Sequence, residues 1–367
     1  MVNFTAADHV FMAQALRLAE QGLYSSMPNP RVGCVIVKDG QIIGEGAHLK
    51  AGEPHAEVFA LRQAGEQASG ATAYVTLEPC SHTGLTPPCS QAIIDAGIIK
   101  VIAAMQDPNP LVAGNGLTHL QAHSIETFSG LMQAEAEAQN SGFISRMSRC
   151  FPYVRSKIAA SLDGKTALNN GVSQWITSEP ARLDVQHWRA RSCAILTGIG
   201  TILADNPSMT VRDLQTDRQP LKVIVDSQLK ISLDAKILQG GKVLIAFSQK
   251  NPQKEARLLA AGAALICIPN NEGKVCLKML LSHLAHMQTN EVLVESGKGL
   301  NSALLAQHLI DELLIYYAPK IMGGSANSIF AMPIFTNMSQ AIDLTIIDLR
   351  QVGLDIRLRA KPNYHAD

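Results

Sequence analysis

The sequence of 367 residues has little of what marks membrane, nucleic-acid-binding or disordered proteins. Lys and Arg together number 31, and so do Asp and Glu, so the chain has no basic excess with which to bind nucleic acid or anionic lipid. Aromatic residues make up 5%, too few for a surface on which bases stack. No apolar run approaches the ~18 residues that span a bilayer, and no basic segment precedes an apolar one near Met1. We therefore expect a globular cytoplasmic protein without nucleic-acid or membrane partners.

The seven cysteines do not form a disulfide framework, because their number is odd and their spacing is scattered. In the reducing compartment that we expect, a clustered pair of cysteines indicates a metal site or catalysis. Cys80 and Cys89 are the pair that the sequence places near other candidate ligands. The remaining thiols are expected to be core or incidental residues: Cys34, Cys150, Cys193, Cys267 and Cys276.

Apolar periodicity and turn signals predict an α/β chain of two domains, since typical domains have ~100–200 residues. The first half is expected to contain helices at 55–67 and 89–97 and strands at 33–38, 41–47, 71–77 and 101–105. The second half is expected to contain strands at 153–160, 193–197, 222–226, 242–247, 263–268, 291–294 and 313–318, with closing strands near Leu344 and Leu354. A polar stretch, 145–150, is the candidate boundary between domains 1–146 and 147–367.

A zinc-site pattern occupies the first half. His55 stands at a predicted helix start, Cys80 follows a strand, and Cys89 begins the next helix. One imidazole and two thiolates make three ligands, the number found in catalytic zinc sites, where a water takes the fourth position. Glu57 is not needed as a ligand and lies within reach of that water, as in the zinc nucleobase deaminases. The sequence therefore predicts one zinc ion per chain, with Glu57 as the proton carrier.

A closed structural zinc site is the alternative. In that arrangement His82 would be the fourth ligand, Glu57 would have no role, and no position would be open to water. Zinc retained after replacement of His82 by Ala would favour the open site.

Three segments of the first half resemble the deaminase domain of the bifunctional riboflavin-biosynthesis deaminase/reductase family. They are residues 28–33 (PNPRVG), 52–57 (GEPHAE) and 76–82 (TLEPCSH) with 86–89 (TPPC). The resemblance implies that Asn29 and His82 contact the pyrimidine or its ribose phosphate. Leu85 stands where the family usually carries a Lys or Arg that contacts phosphate. Either Arg31 or Lys50 substitutes for that cation, or phosphate is held more weakly.

The second half lacks the Gly-x-Gly-x-x-Gly fingerprint of dinucleotide-binding folds. It has two other glycine-rich turns, 197–201 (TGIGT) and 295–299 (ESGKG), each between a predicted strand and a helix. A helix N-terminus presents backbone N–H groups to anions, so the two turns together favour a phosphate-bearing ligand.

Residues 157–165 (KIAASLDGK), 173–177 (SQWIT), 201–212 and 294–297 (VESG) resemble the reductase domain of the same family, which is similar to dihydrofolate reductases. The resemblance covers essentially the whole chain. It implies a cytidine-deaminase-like three-layer α/β/α domain followed by a dihydrofolate-reductase-like α/β domain, and NADPH as the second cofactor. Lys157 would polarise or protonate the ribosyl group as hydride arrives.

Further site residues follow from the resemblance residue by residue. Those that would bind NADPH are Ala159, Trp175, Thr201, Asp205, Ser227, Gly297, Lys298 and Gly299. Those that would hold the substrate are Ser173, Arg189, Met209, Arg212 and Glu295. The guanidinium groups of Arg189 and Arg212 suit a substrate phosphate.

The function so implied is hydrolytic deamination of 2,5-diamino-6-ribosylamino-4(3H)-pyrimidinone 5′-phosphate, then NADPH-dependent reduction of the ribosyl group. The family suggests dimers or tetramers built through the reductase half. Two other interpretations stay open: a nucleic-acid deaminase with a recognition domain, and a nucleotide-binding module whose zinc is structural.

Overall fold

The computed structural model describes residues 3–82, 87–110 and 112–364. The chain divides into two compact units, Met1–Phe151 and Pro152–Asp367. The predicted boundary between residues 146 and 147 lies inside a helix, Ser141–Arg149, that ends shortly before this division. Among the described residues, no helix combines the length and apolar character needed to cross a membrane.

The first unit alternates helices and strands. In chain order they are α1 (Ala6–Ala19), β1 (Gly33–Lys38), β2 (Gln41–Ala47), α2 (Ala56–Ala64), β3 (Thr72–Val75), α3 (Cys89–Asp95), β4 (Lys100–Ala103), α4 (Asn115–Ala122), β5 (Glu126–Ser129), α5 (Gln133–Gln139) and α6 (Ser141–Arg149).

These strands form one sheet in the order β2-β1-β3-β4-β5, in which β1 is antiparallel to its neighbours and β3, β4 and β5 are parallel. Two glycines allow helices to approach it closely. A Cβ added to Gly33 would lie 1.9 Å from the Ala15 carbonyl oxygen of α1, and one added to Gly46 would lie 2.0 Å from the Ala56 carbonyl oxygen of α2. Gly33 pairs with Ala47, the residue after Gly46, so α1 and α2 cover opposite faces. The result is a three-layer α/β/α unit.

The second unit is larger. In chain order it contains β6 (Tyr153–Ser161), β7 (Lys165–Ala167), α7 (Glu179–Arg191), β8 (Ala194–Gly198), α8 (Ile199–Asp205), β9 (Leu221–Val225), β10 (Val243–Phe247), α9 (Pro252–Ala260), β11 (Ala264–Cys267), α10 (Leu277–His286), β12 (Glu291–Val294), α11 (Lys298–Ala306), β13 (Glu312–Ala318), β14 (Asn327–Ser328), β15 (Asp343–Val352) and β16 (Asp355–Asn363).

Nine of these strands form a sheet in the order β11-β10-β9-β8-β12-β6-β13-β16-β15. The seven from β11 to β13 are parallel, whereas β16 and β15 are added antiparallel at one edge. The carboxyl ends of β6, β8, β9 and β12 lie on the same side of the sheet, which we call its carboxyl edge. Open α/β sheets bind ligands at this side. The short strands β7 and β14 pair separately.

Differences from the predicted elements concern short or unusual segments. The alternation over 71–77 predicted a strand, and the observed β3 is shorter and mostly buried, because helices cover both faces. Leu354 lies in the turn between β15 and β16. The short strands β5, β7 and β14 and the helices α4, α5 and α6 were not predicted, since their sequences are polar or brief.

Candidate active sites

Three side chains from distant parts of the first unit meet at one point. His55 is the residue before α2, Cys80 lies in the loop after β3, and Cys89 is the first residue of α3. Their ligand atoms all lie within 4.8 Å of one another. His55 Nδ1 is 3.0 Å from Cys89 Sγ and 3.6 Å from Cys80 Sγ. A tetrahedral zinc ion with Zn–S near ~2.3 Å and Zn–N near ~2.0 Å holds N and S about 3.5 Å apart. The donor set and spacing therefore fit zinc.

The electrostatics of the cluster favour a thiolate at Cys80. The Cys80 Sγ accepts a hydrogen bond from the backbone N–H of Cys89 at 3.4 Å. Hydrogen bonding from Cys89, aided by His55 and opposed by burial, lowers the pKa of the Cys80 thiol, whereas hydrogen bonding to Cys80 and burial raise the pKa of the Cys89 thiol. The N-terminus of α3 also points at the cluster, and its dipole favours negative charge.

No fourth His, Cys, Asp or Glu ligand joins the cluster among the residues that the structure describes. His82, the fourth ligand of the closed alternative, is exposed and outside the group. The arrangement therefore favours the open, three-ligand site over the structural one.

Glu57 is buried in the first turn of α2, two residues after His55. Its Oε2 has no hydrogen-bond partner in the described part of the chain. Burial raises the pKa of this carboxyl to about 7, although His55 opposes the shift. A carboxyl with such a pKa exchanges protons readily near neutral pH, which is what a general acid–base requires.

Polar residues around the cluster include some that the sequence predicted and some that it did not. Asn29 Nδ2 lies 3.1 Å from His48 Nε2, and the His48 ring meets the His55 ring edge to face at 5.2 Å. The Asp107 carboxylate interacts with His82 and Cys80. His48 and Asp107 carried no motif that could have singled them out, because tertiary structure alone brings them to the site.

Position 85 holds a leucine instead of a basic residue, and the two cations that could take over its role differ in how exposed they are. Leu85 itself lies outside the described residues. Arg31 is buried and donates to the Gln139 carbonyl, whereas Lys50 is exposed. Lys50 is therefore the more accessible of the two candidates.

Two cavities open at the carboxyl edge of the second sheet. One of about 600 Å³ is lined by most of the predicted reductase residues: Lys157, Ala159, Ser173, Trp175, Arg189, Thr201, Asp205, Met209, Glu295, Gly297 and Lys298. The other, of about 730 Å³, is lined by Thr201, Ser227, Gly297, Lys298 and Gly299 among others. Because Thr201, Gly297 and Lys298 border both, an elongated ligand can occupy the two together. Arg212 lines neither cavity.

The glycine-rich turns form the boundary between the cavities. The backbone N–H of Gly297 donates to Thr201 Oγ1 at 3.2 Å, which joins the start of α11 to α8. Gly200 and Gly299 are each the second residue of a helix and line the larger cavity, and a Cβ added to either would meet nothing within 4 Å. Two helix N-termini at a long cleft fit the diphosphate of a dinucleotide. The residues therefore fit NADPH, whose nicotinamide end would lie toward Lys157.

A charge cluster lies at the inner end of the smaller cavity. Arg189 donates from Nε and Nη2 to the Glu295 carboxylate at 2.6 and 3.0 Å, and from Nη1 to the Thr210 carbonyl at 3.0 Å. Burial would raise the pKa of Glu295, but Arg189 and Lys157 hold it below its usual range. The fork of Arg189 is thus engaged by protein, which differs from the free phosphate-binding fork that the sequence suggested.

Lys157 adjoins this pair from β6. Burial lowers the pKa of its ammonium group, Glu295 opposes the shift, and Arg189 reinforces it. An ammonium with a lowered pKa is a better proton donor at neutral pH than an ordinary lysine.

The mouth of the smaller cavity holds an aromatic side chain. Trp175 is 64% exposed, and the Arg182 guanidinium lies over its ring at 4.5 Å. Arg182 and the buried Asn301 also line the cavity, although no sequence signal had marked either residue. Met209 is buried, with its sulfur 3.9 Å from Arg189 Nη2.

Comparisons with known proteins agree with this division. Residues 5–105 match the model of the cytidine and deoxycytidylate deaminase zinc-binding region, and residues 152–358 match the RibD C-terminal domain. The riboflavin biosynthesis protein RibD of Escherichia coli (strain K12) is 48% identical over 364 residues, 96% of this chain and 98% of that protein.

Two solved structures are similar over nearly the whole chain. Acinetobacter baumannii RibD, form 1, is 47% identical with a TM-score of 0.91 and covers 98% of this chain and 99% of its own. A diaminohydroxyphosphoribosylaminopyrimidine deaminase/5-amino-6-(5-phosphoribosylamino)uracil reductase from Thermotoga maritima is 32% identical with a TM-score of 0.86, covering 97% and 99%. The two fold classes predicted from the sequence are confirmed.

Proposed function

Since this chain belongs to the RibD family of bifunctional riboflavin-biosynthesis enzymes, we propose that Glu57 moves the protons of its deamination and that Lys157 supplies the proton of its reduction. The enzyme is a zinc-dependent aminohydrolase joined to an NADPH-dependent reductase. It deaminates 2,5-diamino-6-ribosylamino-4(3H)-pyrimidinone 5′-phosphate and reduces the product to 5-amino-6-(5-phospho-D-ribitylamino)uracil. Both activities and both cofactors predicted from the sequence are confirmed.

One observation supports the role of Glu57 in deamination. Its Oε2 atom has no hydrogen-bond partner among the described residues, and Glu57 lies two residues after His55, which forms the ligand cluster with Cys80 and Cys89. Zinc held by these three residues would lower the pKa of a coordinated water towards ~7. Glu57 would accept a proton from the attacking water and deliver it to the 2-amino nitrogen. C2 would gain the oxygen of the water, the bond between C2 and the amino nitrogen would break, and ammonia would leave.

In the reductase site, NADPH supplies the hydride that C1′ of the ribosyl group gains. The bond from C1′ to the ring oxygen breaks, and Lys157 donates a proton to that oxygen. Glu295 is ionised and held by Arg189, so it orients the Lys157 ammonium without competing for its proton.

The remaining site residues are proposed for binding. Asn29 and His82 would contact the pyrimidine or ribose phosphate in the deaminase site, with Lys50 as the candidate cation for the phosphate. In the reductase site, Ser173, Met209 and Glu295 would hold the substrate, with Arg212 approaching its phosphate. NADPH would contact Ala159, Trp175, Thr201, Asp205, Ser227, Gly297, Lys298 and Gly299.

Assembly and location are proposed on physical grounds. The edge strand β15 is exposed along its length and carries Leu344, Ile346, Ile347 and Leu349. Such an unpaired apolar edge is typical of a surface covered by another copy. We therefore propose a homo-oligomer, dimer or tetramer, built through the second unit.

Because all seven cysteines are free and two serve as ligands, we propose a reducing compartment, the cytoplasm. Domains 1–146 and 147–367 remain our proposed functional division.

A coupled assay tests the proposed roles. Purified enzyme is given the diaminopyrimidinone phosphate with or without NADPH, and ammonia and NADPH absorbance are followed together. We expect ammonia release without NADPH, and NADPH consumption only after deamination. Ammonia release by Glu57→Gln protein at the wild-type rate would contradict the role of Glu57.

A further inference from the structure

Glu78 lies between β3 and the zinc ligand Cys80, and its side chain is almost completely buried at 3% exposure. Its carboxylate accepts four backbone hydrogen bonds. Oε2 accepts from the N–H of Asp107 at 3.1 Å and of Gly114 at 2.9 Å, and Oε1 accepts from the N–H of Gly116 at 2.8 Å and of Leu117 at 3.2 Å. Four donors at one buried carboxylate make a strong, charge-assisted anchor.

The anchor caps α4 from outside that helix. Gly114 precedes α4 and has no side chain with which to cap it. Glu78 accepts the N–H groups of the first turn in its place, where a negative charge is also favoured by the helix dipole. The contact is direct, since a Cβ added to Gly116 would lie 1.9 Å from the Pro79 carbonyl oxygen.

The same carboxylate fixes a loop at the zinc cluster. We call residues 107–110 and 112–114 the capped loop. Glu78 holds both its ends, through the N–H of Asp107 and the N–H of Gly114. Within it, Asp107 Oδ1 accepts from the N–H of Asn109 at 2.8 Å. The Asp107 carboxylate is thereby held within electrostatic reach of Cys80 and His82.

We propose that Glu78 is a positioning residue of the deaminase: by holding the capped loop against the segment of Cys80, it sets the Asp107 carboxylate where the polar edge of the substrate binds. The inference rests on the proposed deaminase site and adds a residue that touches neither zinc nor substrate. It assigns the Glu-Pro-Cys sequence two functions, a ligand in Cys80 and a loop anchor in Glu78.

A double-mutant cycle between Glu78→Gln and Asp107→Asn tests the proposal. Glu78→Gln keeps the shape but turns one acceptor oxygen into a donor that faces backbone N–H groups. Because small misplacements at an active site are costly, we expect deaminase kcat/KM to fall by about 10- to 100-fold. If Glu78 acts through Asp107, introducing Glu78→Gln into Asp107→Asn protein should lower the deaminase kcat/KM by about 3-fold or less, because the effects of two coupled residues are not additive.

Controls separate positioning from folding. Zinc content and the reductase rate on the deaminated intermediate should stay at wild-type values, and Glu66→Gln, an exposed carboxylate of the same unit, should change nothing. Full additivity in the cycle would overturn the proposal. If Glu78→Gln protein loses zinc or fails to fold, Glu78→Asp takes its place in the cycle, and loss of zinc or folding by both variants would assign Glu78 a structural role alone. A wild-type protein that holds zinc yet releases no ammonia would instead refute the deaminase assignment.

Discussion

Glu57 and Glu295 are both buried carboxylates, but their neighbours move their pKa values in opposite directions. Burial raises the pKa of Glu57 to about 7, with His55 only partly opposing it. Burial acts on Glu295 in the same sense, but Arg189 and Lys157 outweigh it and lower its pKa. Glu57 is therefore suited to carry protons at neutral pH, and Glu295 is suited to remain charged and hold cations in place.

Replacing Glu57 by Gln should remove the proton carrier while leaving His55, Cys80 and Cys89 in place. We expect deaminase kcat to fall by about 10²-fold or more, the usual contribution of general acid–base catalysis. Zinc content, measured by elemental analysis, should remain at one per chain. Reduction of the deaminated intermediate should continue near the wild-type rate, and a comparable loss of both activities would refute this assignment.

Replacing Lys157 by Met should affect the other reaction. The thioether occupies similar space but cannot donate a proton, so we expect reductase kcat to fall by about 10²-fold or more. NADPH affinity, measured by fluorescence titration, should change little, because Lys157 is placed at the substrate rather than at the diphosphate. Ammonia release should be unaffected. A loss of NADPH binding with kcat preserved at saturation would show that Lys157 is a cofactor contact.

At the scale of elements, an ionic network joins the amino ends of the parallel strands. Arg155 in β6 pairs with Glu291 of β12 at 3.0 Å and with Glu312 of β13 at 3.1 Å, and Arg359 of β16 pairs with Glu312 at 2.7 Å. All but Arg359 are almost fully buried. Removing one partner of such a network leaves a buried charge uncompensated, so the network ties these strands into one unit.

The network predicts acid sensitivity of the second unit. Burial would raise the pKa of Glu312, but Arg155 and Arg359 lower it from 4.5 to about 2. Because the folded-state pKa is below the ordinary one, the stabilisation is complete above about pH 4.5 and is lost as pH falls towards 2; it amounts to about 3 kcal/mol. Both tryptophans, Trp175 and Trp188, lie in this unit, so tryptophan fluorescence reports its unfolding.

Arg359→Gln is the matched variant for that measurement, since it removes one cation from Glu312 and retains Arg155. In this variant the pKa of Glu312 should lie closer to its ordinary value, so the acid-induced loss of stability should be smaller and should be complete at a higher pH than in the wild type. Identical profiles for the two proteins between about pH 2 and pH 5 would contradict the coupling.

Elements and site residues differed in how far the sequence could predict them. His55, Cys80 and Cys89 could be predicted because metal chemistry restricts both residue type and context, each standing at a strand or helix end. The buried strands β10 and β12 were also predicted nearly to the residue, since apolar residues make up all of β10 and all of β12 after Glu291. His48, Asp107 and Arg182 could not be predicted, because only the tertiary fold brings them to their sites. Likewise, the engagement of Arg189 by Glu295 depends on a contact between residues 106 positions apart.

At the scale of the whole molecule, each active site is assembled within one unit from that unit's own residues. The ligands of the zinc cluster come from the starts of α2 and α3 and from the loop after β3. The residues that line the reductase cavities come from the carboxyl edge of the second sheet. This separation is the physical reason why single substitutions are expected to remove one activity and spare the other.

The proposed oligomer gives a prediction at this scale. Leu349→Glu places a charge on β15, where Leu349 is 62% exposed. If another copy covers this strand, the variant should dissociate to monomers, because burying an unpaired charge is costly. Light scattering after size-exclusion chromatography measures the mass. Leu259→Glu, at a similarly exposed leucine on α9, is the control and should retain the wild-type mass; equal masses for both variants would refute an interface at β15.

The central claim is that one histidine and two cysteines hold a zinc ion with a position open to water, and X-ray absorption at the zinc edge of the purified enzyme tests it most directly. We predict one zinc per chain with two sulfur neighbours near ~2.3 Å and the other neighbours nitrogen or oxygen, one of them from solvent. The spectrum should be unchanged in His82→Ala protein. Absence of zinc, or a His82→Ala spectrum that has lost a nitrogen neighbour, would contradict the account.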